Sequence, residues 1–454
     1  MTAQEYLNSL TSKSRIAQQQ FETYSQETVD KAVKAIGKAV YDHAEELAKM
    51  AVDETGMGSY ESKIAKCKNK SKSIWWRLKD AKSRGIIERD EKWGILKVGK
   101  PIGVIGVVAP TTNPVINLMH NCMVSLKCGN SVIICPHPHA KGVGVRTVEI
   151  INEALAKLNM PEDLIQIIPE PTMELSAGIM SAVDLCICTG GPSMVKTAYS
   201  SGKPAYGVGP GNVQALVDRD VELDKAAEMI VAGRSFDNGI LCTCEQSIIC
   251  PQDKKEEMLA ALRSHGTYYI EDDKDAETLR RCAFPSGVIN KDFVGASVKK
   301  IAEMTGLLIP EGIRVIVCKT KGVARDEVLA KEKMFPVLAF FTYDKWEDAV
   351  EIARANLAME GKGHSCVIHS NNQKHIEYVS EHINVSRYLV NQCGSSNLGG
   401  ALDNGLNPTT TLGCGTWGNN IITENLWYYH QMTISRIAYQ IKDIHIPTDE
   451  EIWA

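Results

Sequence analysis

Short apolar runs alternate with helix-period segments along most of this chain. The strand-like runs fall at 102–109, 131–135, 164–168, 184–188 and 213–217. Between them, apolar positions recur with helical spacing at roughly 115–127, 142–157, 173–181 and 191–200. Such alternation implies a parallel, doubly wound sheet. After a further helix over 223–233 the scheme repeats, with strands near 245–249, 313–318, 336–342, 364–369 and 387–391. A second α/β domain therefore follows, facing the first. Ahead of both runs lies a helical region to about residue 82, rich in Lys and Glu, whose charges read as solvated helix faces. Trp93–Val98 reads as a strand of a protruding hairpin near 86–99. The stretch from Ile421 to Ile446 reads as a strand and arm against another subunit, or as an element docked on its own chain. The expected division is residues 1–235, the N-terminal helices with the first domain; 236–415, the second domain; and 416–454, the return arm.

Composition narrows the class. With 454 residues, 44% apolar and 23% charged, the chain has the makings of substantial globular cores, and its net charge of −5 argues against a general nucleic-acid or membrane-surface binder. The most apolar run, Ile102–Ala109, is far shorter than the roughly 20 residues that span a bilayer. The start, Met1 to Tyr6, lacks a secretory signal pattern. Fourteen cysteines without a compact framework point to a reducing, cytoplasmic setting. The close pairs, Cys186/Cys188 and Cys242/Cys244, have one residue between them rather than zinc-knuckle spacing, so no metal is expected.

Candidate chemistry centres on Cys242. Asp237-Asn238-Gly239-Ile240-Leu241-Cys242 is a glycine-bearing turn that delivers a thiol, the best neutral-pH nucleophile among side chains. Cys244 either pairs with it in a regulatory disulfide or fills a small-residue position. In the first domain, Thr189-Gly190-Gly191-Pro192 ends a strand and opens a helix, where anions collect. Thr111-Thr112-Asn113-Pro114 closes the strand 102–109 and places an amide where an oxyanion donor would stand. Glu332-Lys333-Met334-Phe335-Pro336-Val337 sets a carboxylate before a strand, for a ribose or for solvent.

These four segments, in this order, resemble the aldehyde dehydrogenase superfamily over nearly the whole chain. The resemblance implies a Rossmann-like cofactor domain, an α/β catalytic domain and a small oligomerisation element. It implies that Cys242 attacks an aldehyde, that Asn113 and the Cys242 N–H hold the oxyanion, and that hydride passes to NAD or NADP. Cofactor contacts are implied at Thr111, Thr112, Pro136, His137, His139, Thr189, Gly190, Gly191, Gly207, Gly209, Glu332 and Phe335, with His364 at the active cleft.

Departures from the common pattern are as informative. Hydrolytic members carry a glutamate that activates water, in a segment replaced here by Gly207-Val208-Gly209-Pro210-Gly211-Asn212. Losing a general base costs roughly 10²–10⁴-fold in rate, which leaves the acyl-enzyme to a thiol. The pattern is similar to the CoA-acylating branch, with Pro136-His137-Pro138, Gly363-His364-Ser365 and Leu412-Gly413-Cys414-Gly415 among its matches. CoA-dependent succinate semialdehyde dehydrogenases and the aldehyde half of bifunctional aldehyde/alcohol dehydrogenases are the most alike. Where many relatives hold the adenine ribose with Lys-x-x-Glu, this chain has Pro136-His137-Pro138-His139, which admits NADP. His137 and His139 read equally as turn residues.

Asn113, Asn117 and His120 share a helix face, and with Ser395 and Ser396 they favour a short, anionic aldehyde such as succinate semialdehyde. Acetaldehyde or propionaldehyde is the alternative. Other readings are a hydrolytic aldehyde dehydrogenase, a thiol acyltransferase without redox chemistry, and a scaffold of a metabolic compartment. The amphipathic start at Tyr6, Leu7, Leu10 and Ile16 is the feature that suggests the last, although it also reads as a first domain helix. The resemblance further implies a homodimer or homotetramer.

Overall fold

The computed structural model describes residues 2–442 and 444–454. Four helices come first: α1 (Ala3–Glu22), α2 (Gln26–Asp42), α3 (Ala44–Thr55) and α4 (Tyr60–Leu78). They start at side-chain caps where the sequence supplies them. Thr2 forms a capping box with Glu5, and Ser25 and Ser59 each accept an N–H of the first turn. A hairpin follows, β1 (Gly85–Asp90) and β2 (Ile95–Pro101).

The first α/β layer runs β3 (Val104–Val108), α5 (Ile116–Lys127), β4 (Ser131–Cys135), α6 (Lys141–Ala156), β5 (Ile165–Ile167), α7 (Met173–Ala182), β6 (Leu185–Thr189), α8 (Pro192–Tyr199) and β7 (Ala205–Val208). Its five strands are parallel in the order β5-β4-β3-β6-β7, so the order reverses beside β3. The crevice past the carboxyl ends of β3 and β6 is the expected ligand position for such a sheet. Aliphatic side chains fill both faces. Helices α2 to α6 pack on one, and Leu7 of α1 with Ile179 and Met180 of α7 on the other. Leu7 is thus a core residue, and Tyr6 and Leu10 pack beside it, which accounts for the amphipathic start.

The second layer contains β8 (Val213–Val217), α9 (Leu223–Ser235), β9 (Glu245–Pro251), α10 (Lys255–Ser264), β10 (Thr267–Ile270), α11 (Asp273–Ala283), α12 (Val298–Thr305) and β11 (Val315–Lys319). It continues through β12 (Val337–Tyr343), α13 (Trp346–Met359), β13 (Gly363–His369), α14 (Gln373–His382) and β14 (Val385–Val390). These seven strands are also parallel, in the order β10-β11-β12-β9-β8-β13-β14.

The expected division at residue 235 needs correction. Residues 213–217 belong to the second sheet, flanked by β9 and β13, so the chain changes sheets at 209–212. Strand β8 has the same buried apolar run whichever sheet it joins, and only its hydrogen-bond partners decide. Strands β7 and β10 are short additions to the expected set. Finally α15 (Gly394–Asn397) precedes β15 (Met432–Ala438), which pairs antiparallel with β2 into a three-stranded sheet, and α16 (Asp449–Trp453) ends the chain.

The four-residue crossing from β7 to β8 governs the site. It carries the chain from the carboxyl edge of the first sheet straight into the amino edge of the second. The loops after β3 and β6 therefore face the loops before β8, β9, β12 and β13, and these hold the sequence motifs.

Candidate active site

Cys242 lies three residues before β9, half-buried, with Gly211 of the crossing packed against it. The turn that delivers it is unusual: Asp237, Asn238 and Gly239 all have positive φ, at 49°, 53° and 69°. For the two non-glycine residues this costs on the order of 1–3 kcal/mol each, and the surroundings hold them there. Asp237 is fully buried and accepts from the Ser59 N–H at 2.8 Å and from Lys63 Nζ at 3.2 Å, and it pairs with Lys66. Asn238 donates to the carbonyls of Gly58 and Gly295. Burial pushes the Asp237 carboxyl up, but the charges of Lys66 and Lys63 outweigh it and hold the group below its usual range.

The thiol itself is disfavoured as an anion. Burial, then the nearby Glu332 and Cys414, push Cys242 up to about 12, against the opposing charge of Arg387. Glu332 is also raised, to about 8, by burial and by Glu360, while its Oε1 accepts the Gly211 N–H at 2.9 Å. Gly211 is pressed against the nucleophile, since a Cβ there would stand 2.2 Å from the Cys242 carbonyl oxygen. His364 opens β13 and is kept neutral by burial and by Arg387, with Nδ1 enclosed and unpartnered. Cys244 is fully buried, and the 14 cysteines are free, so no disulfide joins it to Cys242.

On the facing side, Asn113 follows β3 with Thr111 and Thr112, all half-buried. Gly190 and Gly191 lead from β6 into α8, where Gly191 is the N-cap and Pro192 the first helical residue. No side chain caps that helix; Pro192 has no N–H and the Met194 and Val195 N–H groups are bonded to the Gly191 carbonyl, which leaves the Ser193 N–H to meet an anion. Thr189 Oγ1 is buried without a partner, and a Cβ on Gly191 would meet nothing within 4 Å. A cleft of about 750 Å³ opens beside α8, lined by Tyr199, Gly209, Glu360, Cys414 and Trp417 among others. An orphaned hydroxyl, the uncapped Ser193 N–H and the open space at Gly191 and Gly209 fit a dinucleotide phosphate. Pro136 is buried, whereas His137 and His139 are exposed, and His137 Nδ1 accepts the His139 N–H at 3.1 Å. They make a turn, and Glu54 of α3 caps the helix after it, accepting the Gly142 and Val143 N–H groups.

Several expected contacts are placed elsewhere. Gly207 lies within β7, where a Cβ would stand 2.7 Å from Val195 and 3.0 Å from Tyr199; it is a packing glycine, and the space a carboxylate would need is filled. Phe335 is fully buried in the second-layer core against Phe293 and Phe284, so it is not a cofactor contact in this arrangement. Ser396 is exposed and bonded to Asn397 and Cys393, away from the nucleophile. Ser395 is buried, and its carbonyl accepts from Thr243, next to Cys242. Asn117 and His120 are fully buried on α5; Asn117 donates to Thr410 Oγ1 at 3.4 Å, and His120 lies over Trp427 with both ring nitrogens unpartnered.

The reading of the N-terminal charges as solvated faces is overturned for α4. Lys63, Lys66 and Lys70 occupy positions i, i+3 and i+7, one face of the helix, and that face turns into the site. Lys66 Nζ donates to Asn113 Oδ1 at 2.8 Å. Lys70 Nζ donates to the carbonyls of Gly399 and Gly400 at 2.7 and 3.1 Å, and among the described residues it has no carboxylate partner. Burial lowers Lys70 to about 8, and its charge helps burial lower His120 to about 3. Apolar residues among and after the lysines, Ile64, Cys67 and Ile74, were the signal that this face is not solvated.

A profile described as the aldehyde dehydrogenase family matches residues 2–290. The chain is 48% identical over 453 residues to a succinate-semialdehyde dehydrogenase (acetylating) of Clostridium kluyveri, covering 100% of both. It is 38% identical to a sulfoacetaldehyde dehydrogenase of an Acholeplasma species, covering 97% of this chain and 92% of the relative. Among solved structures, an acetylating aldehyde dehydrogenase from Geobacillus thermoglucosidasius superposes with a TM-score of 0.94 at 32% identity, over 98% of both chains. A propionaldehyde dehydrogenase of Rhodopseudomonas palustris, solved with bound CoA and an acylated cysteine, gives 0.85 at 28% identity over 95% and 97%. The chain belongs to the aldehyde dehydrogenase family. Within it, the protein is an acylating aldehyde dehydrogenase, an oxidoreductase. No helix among the described residues is long and apolar enough to cross a membrane.

Proposed function

We propose that the protein interconverts a short anionic aldehyde, with succinate semialdehyde the favoured one, and its acyl-CoA, using NAD or NADP. The observation that carries the substrate is Lys70. A half-buried ammonium held by two neutral carbonyls has no carboxylate partner among the described residues, and a substrate carboxylate supplies one. Asn117, His120 and Ser395 support the same pocket as neutral donors. The 48% identity to a succinate-semialdehyde enzyme points the same way.

In this reading Cys242 Sγ adds to the aldehyde carbon as its proton passes to solvent, and Asn113 Nδ2 with the Cys242 N–H receives the oxyanion. The α8 N-terminus and Glu332 would hold NAD or NADP, which would supply the hydride acceptor when bound. The acyl group then rests on Cys242, with no carboxylate at Gly207 to activate water. His364, neutral at the amino end of β13, accepts the CoA thiol proton, and the CoA sulfur displaces Cys242 Sγ. The exposed Ile86, Trp93, Ile437 and Tyr439, on or beside the three-stranded sheet, support a homodimer or homotetramer.

The test follows NADH and NADPH oxidation with succinyl-CoA, acetyl-CoA and propionyl-CoA. Losing a charge-assisted hydrogen bond of about 1.5–3 kcal/mol should cut kcat/KM for succinyl-CoA roughly 10–100-fold in Lys70→Met, leaving acetyl-CoA little changed. Cys242→Ala should be inactive on every substrate. A kcat/KM for acetyl-CoA above that for every anionic acyl-CoA would sink the substrate assignment.

A further inference from the structure

We infer that Lys66 is a positioning residue that sets which face of the Asn113 amide points at the reacting oxygen and ties that amide to the nucleophile turn. An asparagine amide has one acceptor oxygen and two N–H donors, and it is useful to an oxyanion only when the nitrogen faces the reaction. Nothing about the backbone after β3 decides that orientation. Lys66 does, because an ammonium only donates and so must take Oδ1, which it does at 2.8 Å. The amide nitrogen is then turned away from the lysine, and the positive charge on Oδ1 polarises the N–H groups as donors.

The same ammonium is bonded to Asp237, which is fully buried, while Lys66 itself is 7% exposed along its side chain. Asp237 stands at the start of the positive-φ turn that delivers Cys242, and Lys63, the Ser59 N–H and the Ser62 hydroxyl hold it from α4. Gly58 has no room for a side chain there, since a Cβ would stand 2.0 Å from Asp237 Oδ1. One face of α4 thus clamps two elements from opposite sheets, the Asn113 loop after β3 and the cysteine turn before β9. Oxyanion donor and nucleophile are registered to each other through a single side chain from a helix outside both sheets.

The inference rests on Asn113 as the oxyanion donor, so the experiment is a double-mutant cycle on kcat for acyl-CoA reduction at saturating substrate. Removing an oxyanion donor costs roughly 10²–10³-fold, so Asn113→Ala should fall in that range and Lys66→Met, which leaves the amide free to turn, by about tenfold or more. In the Asn113→Ala background, Lys66→Met should change kcat less than about twofold, because the group through which it acts is gone. Full additivity would overturn the positioning role while leaving Asn113 its own. An unchanged kcat in Asn113→Ala would remove the oxyanion assignment and this inference together.

Structural damage is separated by Lys63→Met, which removes the other ammonium bonded to Asp237 and does not touch the Asn113 amide. It should lower the thermal midpoint about as much as Lys66→Met, yet its effect on kcat should add to that of Asn113→Ala. Non-additivity of Lys63→Met with Asn113→Ala equal to that of Lys66→Met would reduce Lys66 to a support for the fold.

Discussion

Gly211→Ala isolates the packing that seats the nucleophile. The glycine sits in the four-residue crossing between the sheets, and an added Cβ would lie 2.2 Å from the Cys242 carbonyl oxygen and 2.9 Å from its Cβ. Real Cβ contacts essentially never fall below 3.0 Å, so the cysteine or the crossing must move by about 0.8 Å. Neither neighbour is the end of a flexible side chain, and both crossing and turn are pinned, Gly211 by Glu332 and Asp237 by two lysines. A misplacement near 1 Å at a reacting atom costs roughly 10²-fold, so kcat should fall about 100-fold. Stability should drop by about 1–3 kcal/mol, the usual cost of overpacking, which is too little to unfold the chain. The assay is steady-state acyl-CoA reduction together with the rate of Cys242 alkylation, read by mass spectrometry. Gly405→Ala is the control, since a Cβ there meets nothing within 4 Å. A Gly211→Ala enzyme with kcat within about threefold of the parent would refute the claim that this contact positions the thiol.

Two further outcomes follow from burial. Gly207→Glu should not create a hydrolase, because Val195 and Tyr199 occupy the space; acyl-enzyme lifetime in CoA-free buffer should be unchanged and the thermal midpoint lower, and rapid release of free acid would contradict this. Stability should decline as pH falls from about 6.5 toward 4. His120, His364 and His369 are buried, and burial lowers them to about 3, well below the usual value, and to about 4 respectively. They stay neutral in the folded chain while the unfolded chain binds protons, so a urea midpoint at pH 5 should lie below that at pH 7. His369→Gln should narrow the gap, and an unaltered gap would count against the assignment.

Most of the architecture was legible along the chain because the central strands of both sheets, such as β3, β4, β8 and β13, are buried on two faces and stand as short, largely apolar runs between helix-period segments. The Cys242 turn, the Asn113 loop and the Glu332 segment stood out along the chain as short motifs, and Lys66 and Gly211 link them in space. What misled was exposure. Lys63, Lys66 and Lys70 look like solvated helix charges until the helix is seen packed over the cleft. Phe335, inside a motif, looks like a ligand contact until Phe284 and Phe293 surround it. Gly207 looks like an open position where a base is missing until Val195 and Tyr199 are seen to fill its space.

The sequence by itself determined the two α/β layers, the thiol, and the lack of a water-activating carboxylate, since these depend on local pattern and residue identity. Only the tertiary structure decided that β8 joins the second sheet and that the carboxyl edge of one sheet meets the amino edge of the other. It also decided that a face of α4 turns its lysines toward Asn113 and the Cys242 turn. These facts depend on which surfaces meet across long separations in the chain, and local periodicity carries no record of the partner that covers a face.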